Sequence, residues 1–214
     1  MRSILLLFVV SATCHGNTIG PCRPVHPVGV DHSKWAGEKY VHLYTGDQGQ
    51  SCSMVKRQLV DEDNVQFLRE TYYRVRNQSG VPVETMLSAK CIEKGHYSVS
   101  AELTAGTVTL LDLYFLWYDN VCYAPNKCVF LDIHMICSNS PEFKNGGPGL
   151  LFVETQYPDP PKEIASKVKE VLKCNGLSDD LMMIDNCNCT NIPYNSEPSK
   201  CDHMTIGQFW GLNQ

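Results

Sequence analysis

The chain has 214 residues, with 18 Lys and Arg against 23 Asp and Glu, 11 cysteines and 43% hydrophobic residues. This acidic balance lacks the basic patch of a nucleic-acid binder, and that class is excluded. The length suits one core domain plus an extension.

At the start, Met1-Arg2-Ser3 precedes an apolar run from Ile4 to Val10, followed by small residues near Cys14 to Gly16. That run is too short to span a bilayer, which needs about 20 apolar residues. An early positive charge and a short apolar stretch are the marks of a cleaved secretory signal. We place cleavage after Gly16, with Ala12 as the alternative. The expectation is a signal over 1–16 and a secreted, extracellular mature chain. Losing Arg2 leaves 17 basic against 23 acidic residues, a net charge of −6. Losing Cys14 reduces 11 cysteines to ten: Cys22, Cys52, Cys91, Cys122, Cys128, Cys137, Cys174, Cys187, Cys189 and Cys201. An even count in an exported chain favours disulfides, whose connectivity the spacing does not reveal.

Residues 17–32 are rich in Pro and Gly and read as an extended arm that Cys22 staples to the body. Strand-like segments follow at about 38–45, 51–60, 66–76, 82–92, 95–104, 107–118, 127–136 and 149–155. Turn chemistry separates them, including Asp61-Glu62-Asp63, Lys94-Gly95 and Asp119-Asn120. In 95–104, Tyr97, Val99, Ala101 and Leu103 share one face. In 107–118 both faces are apolar, with Leu111, Leu113, Phe115 and Trp117 opposing Val108, Leu110, Tyr114 and Tyr118. Segment 128–136 is similar. A strand apolar on both faces has greasy material on each side.

One helix comes next. Asp159 can cap it, Pro160 and Pro161 suit its first turn, and Asn175-Gly176 can end it. Ile164, Val168, Val171 and Leu172 form its apolar stripe. Residues 177–214 show no sustained periodicity and read as a cysteine-containing, disulfide-stapled tail. Asn77 and Asn188 head glycosylation sequons. The order of parts predicts a mainly β domain over 17–176, an eight-stranded antiparallel up-and-down barrel with the helix packed outside and the tail beyond.

A carrier barrel needs aromatic walls and a few orienting polar groups. The candidate wall residues are Trp35, Phe67, Tyr73, Phe115, Trp117 and Phe130; packing alone accounts for them equally. Asp112, Asp132 and His134 are polar residues within apolar strands. Asp132 and His134 share a face. If that face lines the lumen, Asp132 accepts a proton from a ligand and His134 adds a hydrogen bond; if not, the two are an outer, solvent-facing pair. A buried carboxylate there needs a cationic partner, from ligand or arginine. Arg69, Arg74 and Arg76 offer a grip on a fatty acid carboxylate, or one exposed strand face. Cys187, Cys189, Cys201 and His203 read as disulfide chemistry rather than a metal site. We find no nucleophile elbow, zinc-protease helix or phosphate loop, so neither enzyme nor cofactor is expected.

Three stretches resemble the lipocalins, in particular the divergent salivary lipocalins of ticks. They are Trp35 leading into Glu38 to Tyr44, Tyr118-Asp119-Asn120-Val121-Cys122-Tyr123, and Leu150 to Thr155 running into the helix and Cys174. The second is similar to the family's turn between its sixth and seventh strands. The resemblance implies a Cys52–Cys174 bridge and capture of a small host mediator, either a lipophile such as an eicosanoid or fatty acid or a biogenic amine such as histamine. Amine-binding relatives tend to carry a Cys-Asp-aliphatic run and a Glu-Leu-Trp or Glu-Leu-Tyr run. Here Cys128-Val129-Phe130 and Gly149-Leu150-Leu151-Phe152 stand in those places. That tilts the expectation towards a lipophile. The alternative is a lipocalin that inhibits host complement or coagulation, with Phe209 and Trp210 exposed on the tail.

Overall fold

The computed structural model describes residues 20–31, 34, 36–45, 50–62, 65–76, 82–103, 106–141, 149–186 and 205–211, with the side chains of 50–51, 61–87 and 101–110 outside that description. Eight strands follow one another: β1 (Gly37–Tyr44), β2 (Gln50–Glu62), β3 (Val65–Arg76), β4 (Pro82–Glu93), β5 (His96–Leu103), β6 (Gly106–Ala124), β7 (Lys127–Cys137) and β8 (Leu150–Thr155). Each pairs antiparallel with its predecessor, and β1 pairs with both β8 and β2, so the sheet closes on itself. A short 3-10 turn (Lys162–Ile164) leads into α1 (Ala165–Cys174). β9 (Met182–Met183) and α2 (Ile206–Phe209) lie in the tail. The expected barrel with one helix outside is the observed architecture.

β7 is buried on both faces and shows how the core divides. Phe130 and Ile136 turn inward with Val41, Tyr44, Val55, Leu113, Phe115 and Tyr118. Val129, Leu131, Ile133, Met135 and Cys137 turn outward, under Ile164, Val168, Val171 and Leu172 of the helical segment. Leu172 is 1% exposed and Val168 0%. At about 25 cal/mol per Å² of apolar surface, burying such side chains stabilises the helix by a few kcal/mol. Gly176, at φ +62°, ends α1 in the left-handed conformation glycine tolerates. The expected Asp159 cap is not made: Pro161 holds the cap position of the 3-10 turn, and no side chain caps it or α1.

The arm is stapled to the body as expected, by the Cys22–Cys137 disulfide. Val28 donates its N–H to the Phe115 carbonyl, and Phe115 donates to that of Gly95. Gly95 has φ +72°, and a Cβ there would lie 2.2 Å from the Val28 carbonyl oxygen, so glycine is required where the arm passes the β4–β5 turn.

Several expectations are corrected. β6 runs through Asp119-Asn120 to Ala124, and the turn falls at Pro125-Asn126, where Asn126 has φ 60°. The Cys122–Cys128 disulfide joins residues directly opposite each other beyond Asp119 and holds the hairpin together there. Cys52 is disulfide-bonded, but not to Cys174, which is an exposed free thiol, as is Cys91. The reason is local. Cys52 turns to φ 56°, donates its N–H to the Asp185 carbonyl, and so faces the segment after the helix rather than the helix end. In the tail, Phe209 is 2% exposed and packs on the outer core, while Trp210 is half-buried beside it. The exposed aromatic pair expected there is absent. Cys187, Cys189, Cys201, His203, Asn77, Asn188 and the 1–16 signal lie outside the described residues. No helix among the described residues is long and apolar enough to cross a membrane.

Candidate functional site

The inward face of the barrel carries a ring of alternating charges. Arg57 on β2 follows Val55 on the inward face. Asp132 and His134 alternate with the outward residues of β7, and Glu154 lies directly opposite Asp132 on β8. One Arg57 nitrogen, Nη1, donates to Asp132 Oδ2 at 2.6 Å and lies 2.7 Å from Glu154 Oε2. His134 Nδ1 is 3.0 Å from Asp132 Oδ1, and its Nε2 is 3.9 Å from Glu154 Oε1. All four side chains are 0% exposed. Three edges of the ring are within bonding distance. The fourth, His134 to Glu154, is open, and His134 Nε2 makes no hydrogen bond among the described residues.

Electrostatics follow from that geometry. Burial alone would raise the Asp132 pKa, but Arg57, His134 and Lys39 outweigh it and hold the carboxyl below the usual range. Burial alone would lower the His134 pKa, but Asp132 and Glu154 outweigh it and raise the imidazole above its ordinary value. Carboxylates and basic groups therefore alternate around the ring, which is the arrangement a buried site tolerates. Asp132, His134 and Glu154 donor atoms lie within 4.8 Å of one another, close enough to hold a metal ion. Arg57 already supplies a cation between the two carboxylates.

Aromatic rings frame this polar patch. Phe152 stacks on His134 at 5.1 Å and 23°, Phe115 tilts against it at 5.6 Å, and Tyr118 meets Phe130 edge-on at 4.8 Å. Lys39 of β1 places its ammonium 4.2 Å from the centre of the Phe130 ring. In the wall beside the patch, burial pushes the His42 pKa down to about 3, so its ring is neutral; Nε2 lies 2.8 Å from Thr155 Oγ1. Asn186 reaches in from the tail, donates to the Val41 carbonyl, and accepts from the Ser53 N–H where β1 and β2 part.

The sequence candidates divide accordingly. Phe115, Phe130, Asp132 and His134 come together inside the barrel; the outer, solvent-facing reading of Asp132 and His134 is overturned. Trp117 faces outward, with Lys167 of α1 3.8 Å over its ring. A bulge between Phe115 and Trp117 is the cause: it turns Leu116 outward and Tyr118 inward, breaking the alternation that grouped Trp117 with Phe115. Asp112 is also on the outer face, opposite Cys137, where it pairs with His96 at 2.8 Å. Trp35 lies outside the described residues, as do the side chains of Phe67, Tyr73, Arg69, Arg74 and Arg76. Sequence reasoning missed Arg57, Glu154 and Lys39. A charged residue at an inward position of a two-sided apolar strand was the available signal, and Glu154 in Leu150 to Thr155 carries it plainly.

No family model and no curated protein matches the chain. Among solved structures it is similar to lobster apocrustacyanin A1, at 12% identity over 80% of this chain and 92% of that one, with a TM-score of 0.51. The fold is the lipocalin fold. Insecticyanin from the tobacco hornworm Manduca sexta is similar too, at 16% identity, 74% and 82% coverage and a TM-score of 0.49. Apocrustacyanin C1 gives 12% identity, 75% and 88% coverage and 0.48.

Proposed function

We propose that the chain is a secreted carrier, not an enzyme, that sequesters one small lipophile inside its barrel by stoichiometric capture. The lipophile is an eicosanoid, a fatty acid or a relative of these, and the setting is the host-facing saliva of a tick. The observation that carries this reading is the pairing of both buried carboxylates with Arg57 at 2.6 and 2.7 Å. An ammonium ligand would have to displace a guanidinium from the site it needs. An apolar ligand leaves those ion pairs intact, gains from contact with Phe115, Tyr118, Phe130 and Phe152, and can aim one oxygen at His134 Nε2. Calorimetry of the secreted chain with leukotriene B4, arachidonate, histamine and serotonin tests it. Heat from the two lipids with silence from the two amines is expected. Heat from the amines alone would reverse the ligand class, and no heat from any would remove the carrier reading.

A further inference from the structure

Lys39 is the interior charge that the ring does not absorb. It lies on β1 opposite Val55, with Val41, its next inward neighbour, opposite Glu154. The residue is 6% exposed, and its ammonium sits over the Phe130 ring. Among the described residues no carboxylate comes within ion-pair distance of it and no acceptor within hydrogen-bond distance. The charged groups that act on it are Arg57 from β2, Asp132 from β7 and Glu154 from β8. Burial, and then the positive charge of Arg57, push its pKa down from the ordinary lysine value, against the opposing pull of Asp132 and Glu154. A lysine desolvated beside another cation, in apolar surroundings, is the recognised arrangement for a nucleophilic amine.

We infer that Lys39 is a covalent capture site for carbonyl-bearing lipophiles, aldehydes above all, which condense with its ε-amine to an imine inside the barrel. The inference rests on the interior being the ligand chamber. The amine lone pair forms the C–N bond and the carbonyl π pair passes to oxygen. That oxygen takes both protons of the amine and leaves as water, so no oxidant or reductant is needed. An apolar enclosure that then excludes water protects the product from hydrolysis.

The test incubates the full secreted chain with decanal and sodium cyanoborohydride near neutral pH, which fixes any imine as a secondary amine. Intact mass and peptide mapping then read out the adduct. Fluorescence of N-phenyl-1-naphthylamine reports non-covalent occupancy in parallel. One alkyl group per chain on Lys39 is expected, blocked by excess naphthylamine. Its yield should exceed that of exposed lysines such as Lys90 and Lys173, since the naphthylamine-blocked chamber holds the aldehyde against Lys39 and a lowered amine pKa raises the free-amine fraction. Lys39→Arg should keep the fluorescence and lose the adduct. Labelling spread over exposed lysines with Lys39 spared, or an unlabelled Lys39 in a chain that binds the naphthylamine, overturns the covalent site alone. A chain that neither binds the probe nor labels overturns the lipophile reading with it.

Discussion

The two faces of β7 bury the same strand by opposite means. Outward, Val129, Leu131, Ile133, Met135 and Cys137 meet α1 and Phe209, apolar against apolar, supplied wholly by this chain. Inward, Phe130 and Ile136 alternate with Asp132 and His134, whose charges are met by Arg57 and Glu154 from the neighbouring wall. Dispersion and transfer free energy suffice on the outer side, where a small repacking costs little. On the inner side a missing partner leaves a desolvated charge. The outer face is thus built for stability, and the inner one holds an energetic commitment that packing alone would not call for.

Arg57→Met breaks the inner face most severely. It leaves Asp132 and Glu154 buried without their guanidinium, at a cost of about 3–5 kcal/mol. Urea unfolding should show it, and the loss should shrink as pH falls and the carboxylates take up protons. Equal losses at pH 5 and pH 8 would mean that the ring is not what Arg57 supports. On the outer face, Leu172→Ala removes a fully buried contact between α1 and the sheet. Its expected cost is about 2–4 kcal/mol, independent of pH and without effect on ligand heat. A change in ligand heat would show that the two faces are coupled through β7.

These two substitutions also mark what could be read from the chain and what could not. Leu172 was legible because a helical stripe depends on neighbours three or four residues away, and the strands because alternation and turn residues are local. Arg57 was not legible, since its partner Asp132 is 75 residues distant and no local pattern announces it. The bulge at Leu116 defeated the inward reading of Trp117 for the reverse reason: one extra residue shifts the phase of everything beyond it. Asp132 and His134 were correctly singled out as polar groups on a shared face, but which face needed the closed barrel.

A smaller and pH-dependent effect belongs to His134. Its folded pKa is raised, so its contribution to stability is complete below the unfolded value and is lost as pH rises through the folded one. Asp132 is the mirror case: its folded pKa is depressed, so its contribution is present above the unfolded value and lost as pH falls through the folded one. Lys39, with a lowered folded pKa, costs stability while it is protonated, and that cost fades as pH rises towards its unfolded value. The His134→Gln variant should therefore remove the decline of the urea midpoint above neutrality while leaving the acid limb in place. An unchanged alkaline limb would mean that His134 is neutral in the ring.

The finest comparison is between two lysines lying over two rings. Lys167 sits 3.8 Å over Trp117 on the outer face, with its side chain 20% exposed and its ammonium also bonded to Glu170 at 2.9 Å. Lys39, 6% exposed, sits 4.2 Å over Phe130 on the inner face, where no such carboxylate joins it among the described residues. A partly hydrated cation over an indole gains about 0.5–1 kcal/mol, so Lys167→Met should lower stability by that much or less. Within the barrel the same contact must be set against the loss of water around the ammonium, and desolvation is the larger effect. Lys39→Met should then leave stability unchanged or raise it, most clearly at low pH, where the amine is fully protonated. Thermal unfolding of the two variants side by side decides the point. If both lysines stabilise to the same degree, the interior is wetter than its burial indicates and Lys39 is an ordinary surface-like cation.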